Sequence, residues 1–182
     1  GAGLHEVHDP YSHGTSMKSP AQGMNAALAI HAAAVLGVDV GAERLSYALR
    51  TAFLPGRLEH IGDKIILDVA HNRASMLVLV KYLENIEFHG VGVFGVLADK
   101  DYMTLIGMLK SVCSHIYIAP VETSRSWGEE GMSACERLGG ITRCASITDA
   151  FNKADLTGKS VVVTGSFYTV GEVRDSIICA GC

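Results

Sequence analysis

Two short segments concentrate the side chains most able to do chemistry: Pro55-Gly56-Arg57 and Asp68-Val69-Ala70-His71-Asn72. Arg57 offers a planar guanidinium that can hold a phosphate through two parallel hydrogen bonds. Asp68 closes an apolar run, Ile65-Ile66-Leu67. A carboxylate there can accept hydrogen bonds from ribose hydroxyls, as the acidic residue of dinucleotide folds does. His71 is the candidate for proton transfer near neutral pH. Each residue also has a plainer use: Arg57 as a surface residue on an edge strand, Asp68 as a turn residue, Asn72 as a helix N-cap. The residues between Arg57 and Asp68 read as a β-hairpin. Open α/β sheets bind ligands beyond the carboxyl ends of their strands, which is where this cluster falls.

Two further segments have the same placement. Asp99-Lys100-Asp101 follows the apolar run Val91–Val96 and opens a helix, so Lys100 can face a ligand crevice. Asp99 and Asp101 can instead pair with Lys100 and cap the helix. Gly165-Ser166 lies between Val161-Val162-Val163 and the last helix. Backbone N–H groups at such a helix start suit a carboxylate, and the Ser166 hydroxyl would add a donor. Asn25 sits inside a helical pattern, where a short amide is a poor helix former. No GxSxG elbow and no GxxxxGK[ST] phosphate loop occurs, and the glycines of Val91–Gly95 lack the dinucleotide fingerprint.

The elements that must position these groups follow from periodicity. Residues 1–18, with His5, His8 and His13, read as an irregular segment rather than a metal site. Ser19-Pro20 is a helix start with Ser as N-cap, and Met24, Ala27, Leu28, Ala32 and Val35 keep a helical period up to Gly37. A second helix spans 42–52. Beyond Leu54-Pro55-Gly56 the pattern alternates. Strands are expected near 57–61, 64–69, 91–97, 115–119, 140–144 and 160–165, and helices near 73–88, 101–112, 128–138, 147–155 and 169–178. Ser126-x-x-Glu129, Ser146-x-x-Asp149 and Thr169-x-x-Glu172 read as capping boxes. This is an α/β fold: a Rossmann-like, mostly parallel sheet of about six strands with an antiparallel edge strand, preceded by a helical segment.

Bulk properties agree. The 182 residues are 48% hydrophobic and 19% charged, enough to bury a core, with a formal net charge of −4. No basic stripe points to nucleic acid, no apolar run is long enough to span a bilayer, and no signal peptide is visible. Five cysteines without CxxC spacing read as reduced thiols in a cytoplasmic protein, not as metal ligands.

PGR at 55–57, ILDVAHN at 66–72, LADKD at 97–101 and TGSFYTV at 164–170, in that order, resemble the C-terminal part of folylpolyglutamate synthases. The bifunctional dihydrofolate synthase form is equally compatible, and both belong to the Mur ligase superfamily. The resemblance runs over roughly residues 20–175. It implies that residues 1–53 are a loop and helical tail of a central ATPase domain, and that 54–182 are the C-terminal, glutamate-binding domain. It implies ATP contacts for Arg57, Asp68 and Asn25, the last through the adenine edge. Glutamate would meet His71, Asn72, Lys100 and Ser166. The phosphate loop and the Mg2+ ligands would lie in an N-terminal ATPase domain of the same polypeptide, so the chain is expected to be a fragment or truncated product, inactive alone. The implied ligase phosphorylates a folate carboxylate with ATP, and the amine of L-glutamate displaces phosphate from the acyl phosphate. A monomer acting without nucleic acid or membrane is expected. Two positions depart from the family pattern. Arg73 stands where Pro is usual and is unfavourable to the helix dipole. Pro20-Ala21-Gln22-Gly23 keeps a Gln but not the His before it. A peptidoglycan Mur ligase domain and a non-catalytic nucleotide-binding or interaction module are the rival readings.

Overall fold

The computed structural model describes residues 4–11 and 20–180. It divides into two compact units, Gly1–Leu54 and Pro55–Cys182. The proposed cap Ser19, and His13 and Cys182, lie outside the described residues.

In the first unit, residues 4–11 have no helix or strand. Helix α1 (Pro20–Val35) ends at Gly37, whose φ of 73° is the left-handed conformation that favours glycine after a helix. Helix α2 (Ala42–Thr51) follows. Asn25 is exposed on α1 and donates to Gln22 Oε1 at 3.0 Å.

The second unit holds a six-stranded sheet flanked by helices: β1 (Glu59–Ile61), β2 (Ile65–Leu67), α3 (Arg73–Asn85), β3 (Gly90–Phe94), α4 (Tyr102–Leu109), β4 (Cys113–Ile118), α5 (Glu129–Glu136), β5 (Ile141–Arg143), α6 (Ile147–Asp155), β6 (Ser160–Thr164) and α7 (Phe167–Ala180). The strand order is β1-β2-β6-β3-β4-β5. Only β1–β2 is antiparallel, which gives the antiparallel edge expected from the hairpin. Every residue of β3 is buried, as a strand covered on both faces requires.

Two apolar clusters form the layers. Met76, Leu79 and Leu83 of α3, Leu105, Ile106 and Leu109 of α4, and Met132 and Cys135 of α5 pack together with Phe94, Ile116 and Ile118. Ile147, Ala150 and Ala154 of α6 and Val170 and Val173 of α7 pack with Val91, Val93, Val161 and Val163. Alternation along β3 and β6 sends successive side chains to the two clusters. Among the described cysteines Cys113, Cys135 and Cys144 are free and buried. Burial pushes the Cys113 thiol up to about 12, so it stays protonated and apolar in character.

Two of the three expected capping boxes are replaced. Helix α5 starts from Gly128 with no side-chain cap. The Ser126 hydroxyl instead accepts from the Val121 N–H at 3.0 Å, so it closes the loop before the helix. Helix α7 starts at Phe167, earlier than expected, and Ser166 caps it by accepting from the Thr169 N–H at 3.0 Å. Glu172 reaches across to α6, accepting from the Thr148 N–H and hydroxyl. Ser146 does cap α6. No described helix is long and apolar enough to cross a membrane.

Candidate functional site

The turn that carries Arg57 is held by two carboxylates. Gly56 has φ of 69° and Leu58 a φ of 47°, so both flanks of Arg57 are left-handed. At Leu58 that conformation is costly and needs outside support. The Glu59 carboxylate accepts from the Gly56 N–H at 2.8 Å, and the Asp68 carboxylate accepts from the Leu58 N–H at 3.0 Å. The Val69 N–H donates to the Gly56 carbonyl at 2.8 Å. Arg174 of α7 steadies Glu59 through an Nε bond to each carboxylate oxygen, at 2.9 and 3.1 Å. Locked this way, Arg57 lays its guanidinium over the Phe167 ring, 5.7 Å from the centroid.

Asp68 is therefore a structural clamp as well as a site candidate. Its second oxygen accepts from the Ala70 N–H at 3.0 Å, and the residue is buried. Burial raises its carboxyl above the usual range; the bonds from Leu58 and Ala70 and the charges of Arg57 and His71 oppose that only in part.

His71 donates from Nδ1 to the Val69 carbonyl at 2.8 Å. A carbonyl only accepts, so Nδ1 carries the proton and the neutral ring keeps its lone pair on Nε2. The ring lies 5.9 Å from Phe167, centroid to centroid. Asn72 takes the cap role: its side chain accepts from the Ser75 N–H at 2.9 Å, and Ser75 Oγ accepts from the Asn72 N–H, a capping box for α3. Arg73 then opens α3. The Asp101 carboxyl lies below its usual range because of hydrogen bonds from Thr104, with the Arg73 charge adding to them.

Asp101 caps α4 through the Thr104 N–H. Asp99 takes a different part. One of its oxygens meets Lys100 Nζ at 2.8 Å and the other meets Arg125 Nη2 at 3.2 Å. A single carboxylate thus holds two cations side by side. Ser166 is buried and its hydroxyl lies 2.8 Å from Thr169 Oγ1, which bonds the Gly95 carbonyl at 2.7 Å. Thr169 must donate to that carbonyl, so Ser166 donates to Thr169. The hydroxyl proton expected for a ligand is engaged inside the fold. Gly165 makes the approach possible: its φ is 111°, and a Cβ there would stand 2.4 Å from the Gly95 carbonyl oxygen.

These loops surround a cavity of about 210 Å³ lined by His71, Leu97, Lys100, Arg125, Gly165, Ser166, Phe167 and Tyr168. They follow β2, β3, β4 and β6, so the cavity sits beyond the carboxyl ends of four parallel strands. His71, Lys100 and Ser166 come together there. Arg57 and Asp68 stand beside it, connected through Phe167 and His71. Asn72 is at the adjoining helix start, and Asn25 belongs to the first unit.

Sequence reasoning passed over Arg125 and Phe167. An Arg in the loop after the strand at 115–119 occupies the same sheet edge as Lys100. Phe167, inside the GSFYTV motif, reads as core by type but is exposed.

Such a sheet, with a cavity lined by Lys100 and Arg125 beyond the carboxyl ends of its strands, defines a doubly wound α/β domain. No protein-family model matches the chain. It is 32% identical over 160 residues to the dihydrofolate synthase/folylpolyglutamate synthase of Escherichia coli, a match that covers 84% of this chain and 37% of the relative. It is 30% identical over 171 residues to the folylpolyglutamate synthase of Lacticaseibacillus casei, covering 86% of this chain and 38% of the relative. Among solved structures, Mycobacterium tuberculosis folylpolyglutamate synthase complexed with ADP and AMPPCP superposes with a TM-score of 0.78 at 25% identity, over 88% of this chain and 41% of that one. Escherichia coli FolC in complex with DHPP and ADP gives 0.76 at 31% identity, over 87% and 39%. The chain is homologous to the folylpolyglutamate and dihydrofolate synthases over the part of their length that it spans, 37–41% of these relatives.

Proposed function

We propose that this chain is the C-terminal portion of an ATP-dependent ligase that adds L-glutamate to a folate. The observation that carries the reading is the cavity beyond β2, β3, β4 and β6, where His71 and Lys100 line a space with exposed cationic character beside the α7 start. Glutamate would seat its carboxylate against Lys100 and the N–H groups of Phe167 and Tyr168 at the start of α7, which precede the Thr169 N–H taken by the Ser166 cap. His71 Nε2 would orient or deprotonate the attacking ammonium group. Asn72, at the start of α3, would border the same substrate.

ATP is the co-substrate, and its role here is to supply the phosphoryl group that activates the folate carboxylate. Arg57, presented on its clamped turn, would hold a phosphate oxygen. Asp68 retains acceptor capacity beyond its two backbone bonds for a ribose hydroxyl, and Asn25 is our candidate for the adenine edge. The relatives whose structures contain ADP support this reading. Mg2+ ligands and the phosphate loop are assigned to an ATPase domain outside this chain. Glutamate amine attack on the acyl phosphate forms the amide and releases phosphate. We place this reaction in the cytoplasm, in a monomeric enzyme. The peptidoglycan-ligase reading has no comparable support among the relatives, whose names are those of folate enzymes.

The test is ATP-dependent incorporation of labelled glutamate into a folate acceptor. The purified chain alone gives none. Joined behind the preceding part of the Escherichia coli relative, it gives a product that His71→Ala abolishes. Product from the chain alone would overturn the division of labour, and a His71→Ala chimera as active as its parent would remove His71 from the reaction.

A further inference from the structure

We propose that Arg125 is a specificity-determining residue that selects a substrate carrying a second carboxylate; this rests on the glutamate reading of the cavity. The lining includes two permanent cations, Lys100 and Arg125, and no acidic side chain. The one carboxylate in contact with both, Asp99, stands outside the lining and gives one oxygen to each, at 2.8 and 3.2 Å. Three charges therefore sum to a net positive site with its negative member set back. That arrangement disfavours a cationic or neutral side chain and suits an anion.

The position of Arg125 is built, not incidental. Its carbonyl accepts from the Ala98 N–H at 2.9 Å, and its N–H donates to Thr123 Oγ1 at 3.4 Å. Leu97 and Ser126 form an antiparallel bridge, so the loop after β3 and the loop after β4 are stitched together. Trp127 anchors that stitch: it is buried, its Nε1 donates to the Ala119 carbonyl at 2.9 Å, and its ring meets Phe94 and Tyr102. Lys100 and Arg125 are thus fixed on one joined platform. Among the described residues the Arg125 guanidinium has a single side-chain partner, through Nη2, which leaves the rest of its five-donor fork for a ligand.

The division of work follows from geometry. An amino acid with one carboxylate satisfies the Lys100 side of the cavity and leaves the Arg125 fork facing an uncharged group. A dicarboxylic amino acid satisfies both. Arg125 therefore sets the preference for glutamate over glutamine, whose side chain has the same length without the charge.

The experiment measures the affinity of the full chain for L-glutamate and L-glutamine by 15N–1H NMR titration, for wild type, Arg125→Gln, Arg125→Lys and Lys100→Met. Wild type prefers glutamate over glutamine. Arg125→Gln weakens glutamate about fivefold, leaves glutamine unchanged and so removes the preference, whereas Arg125→Lys keeps part of it. Lys100→Met weakens both ligands. Retention of the wild-type preference in Arg125→Gln, with Lys100→Met still losing both ligands, would overturn the role of Arg125 and leave the glutamate site standing. Absence of any glutamate response in the wild-type chain would overturn both. Arg125 is exposed and its backbone bonds do not involve the guanidinium, so the variants keep the fold.

Discussion

Asp68, singled out by type and position as a nucleotide-site candidate, has a structural use in this fold. The strand-end carboxylate invites a nucleotide reading, yet both of its oxygens accept backbone N–H groups, from Leu58 and Ala70. Its carboxyl is raised by burial, so the native chain keeps this proton to a higher pH than the unfolded chain. The resulting stability is full below the ordinary carboxylate value of about 4 and is lost as pH rises through the raised value. Urea midpoints of wild type and Asp68→Asn, measured from about pH 4 upward, isolate this group. The stability of wild type relative to the variant falls as pH rises. A difference that grows with pH would mean that the hydrogen bonds and the charges of Arg57 and His71 outweigh burial. The clamp also explains why Arg57 was easier to find than to place. Its neighbours Gly56 and Leu58 are both left-handed, and the turn is held by the Asp68 carboxylate ten residues on and by Glu59, itself steadied by Arg174 from the far end of the sequence.

Elements were legible where periodicity is strong and local. The strands Val91–Phe94 and Val161–Val163 and the helices around Leu79, Leu105 and Ala150 follow from apolar spacing alone, and the antiparallel hairpin follows from its two short arms. Helix starts were less legible, because a capping residue is chosen by tertiary contacts as well as by its own pattern. Thr169-x-x-Glu172 has the composition of a capping box, but Thr169 is drawn to the Gly95 carbonyl and Glu172 to Thr148 of α6. Ser166 then becomes the cap, and α7 begins at Phe167. Replacing Ser166 by Ala removes that cap and one partner of the Thr169 hydroxyl. The expected loss is about 1–2 kcal/mol, read as a lower urea midpoint with an unchanged m-value. Unchanged stability would return the hydroxyl to the role of a ligand donor.

At the scale of the molecule, four loops from one end of a parallel sheet converge on a single cavity, and the order of motifs along the chain maps onto that convergence. Lys100 and Ser166 were found because they adjoin apolar strands. Arg125 was not, because it is delivered by a seam between two loops, the Leu97–Ser126 bridge, which no local pattern announces. The helical unit with Asn25 is a separate compact body. The chain spans 37–41% of the relatives compared, and the reaction proposed for it needs groups that it does not carry. On the proposed reading, the chain's own part is to receive glutamate. The most direct measurement is therefore a residue-by-residue map of amide shifts in the 15N–1H spectrum of the 182-residue chain as L-glutamate is added. Shifts concentrated on His71, Lys100 and Gly165–Tyr168 are the predicted result. A response centred elsewhere in the sheet, or none at saturating glutamate, would contradict the account.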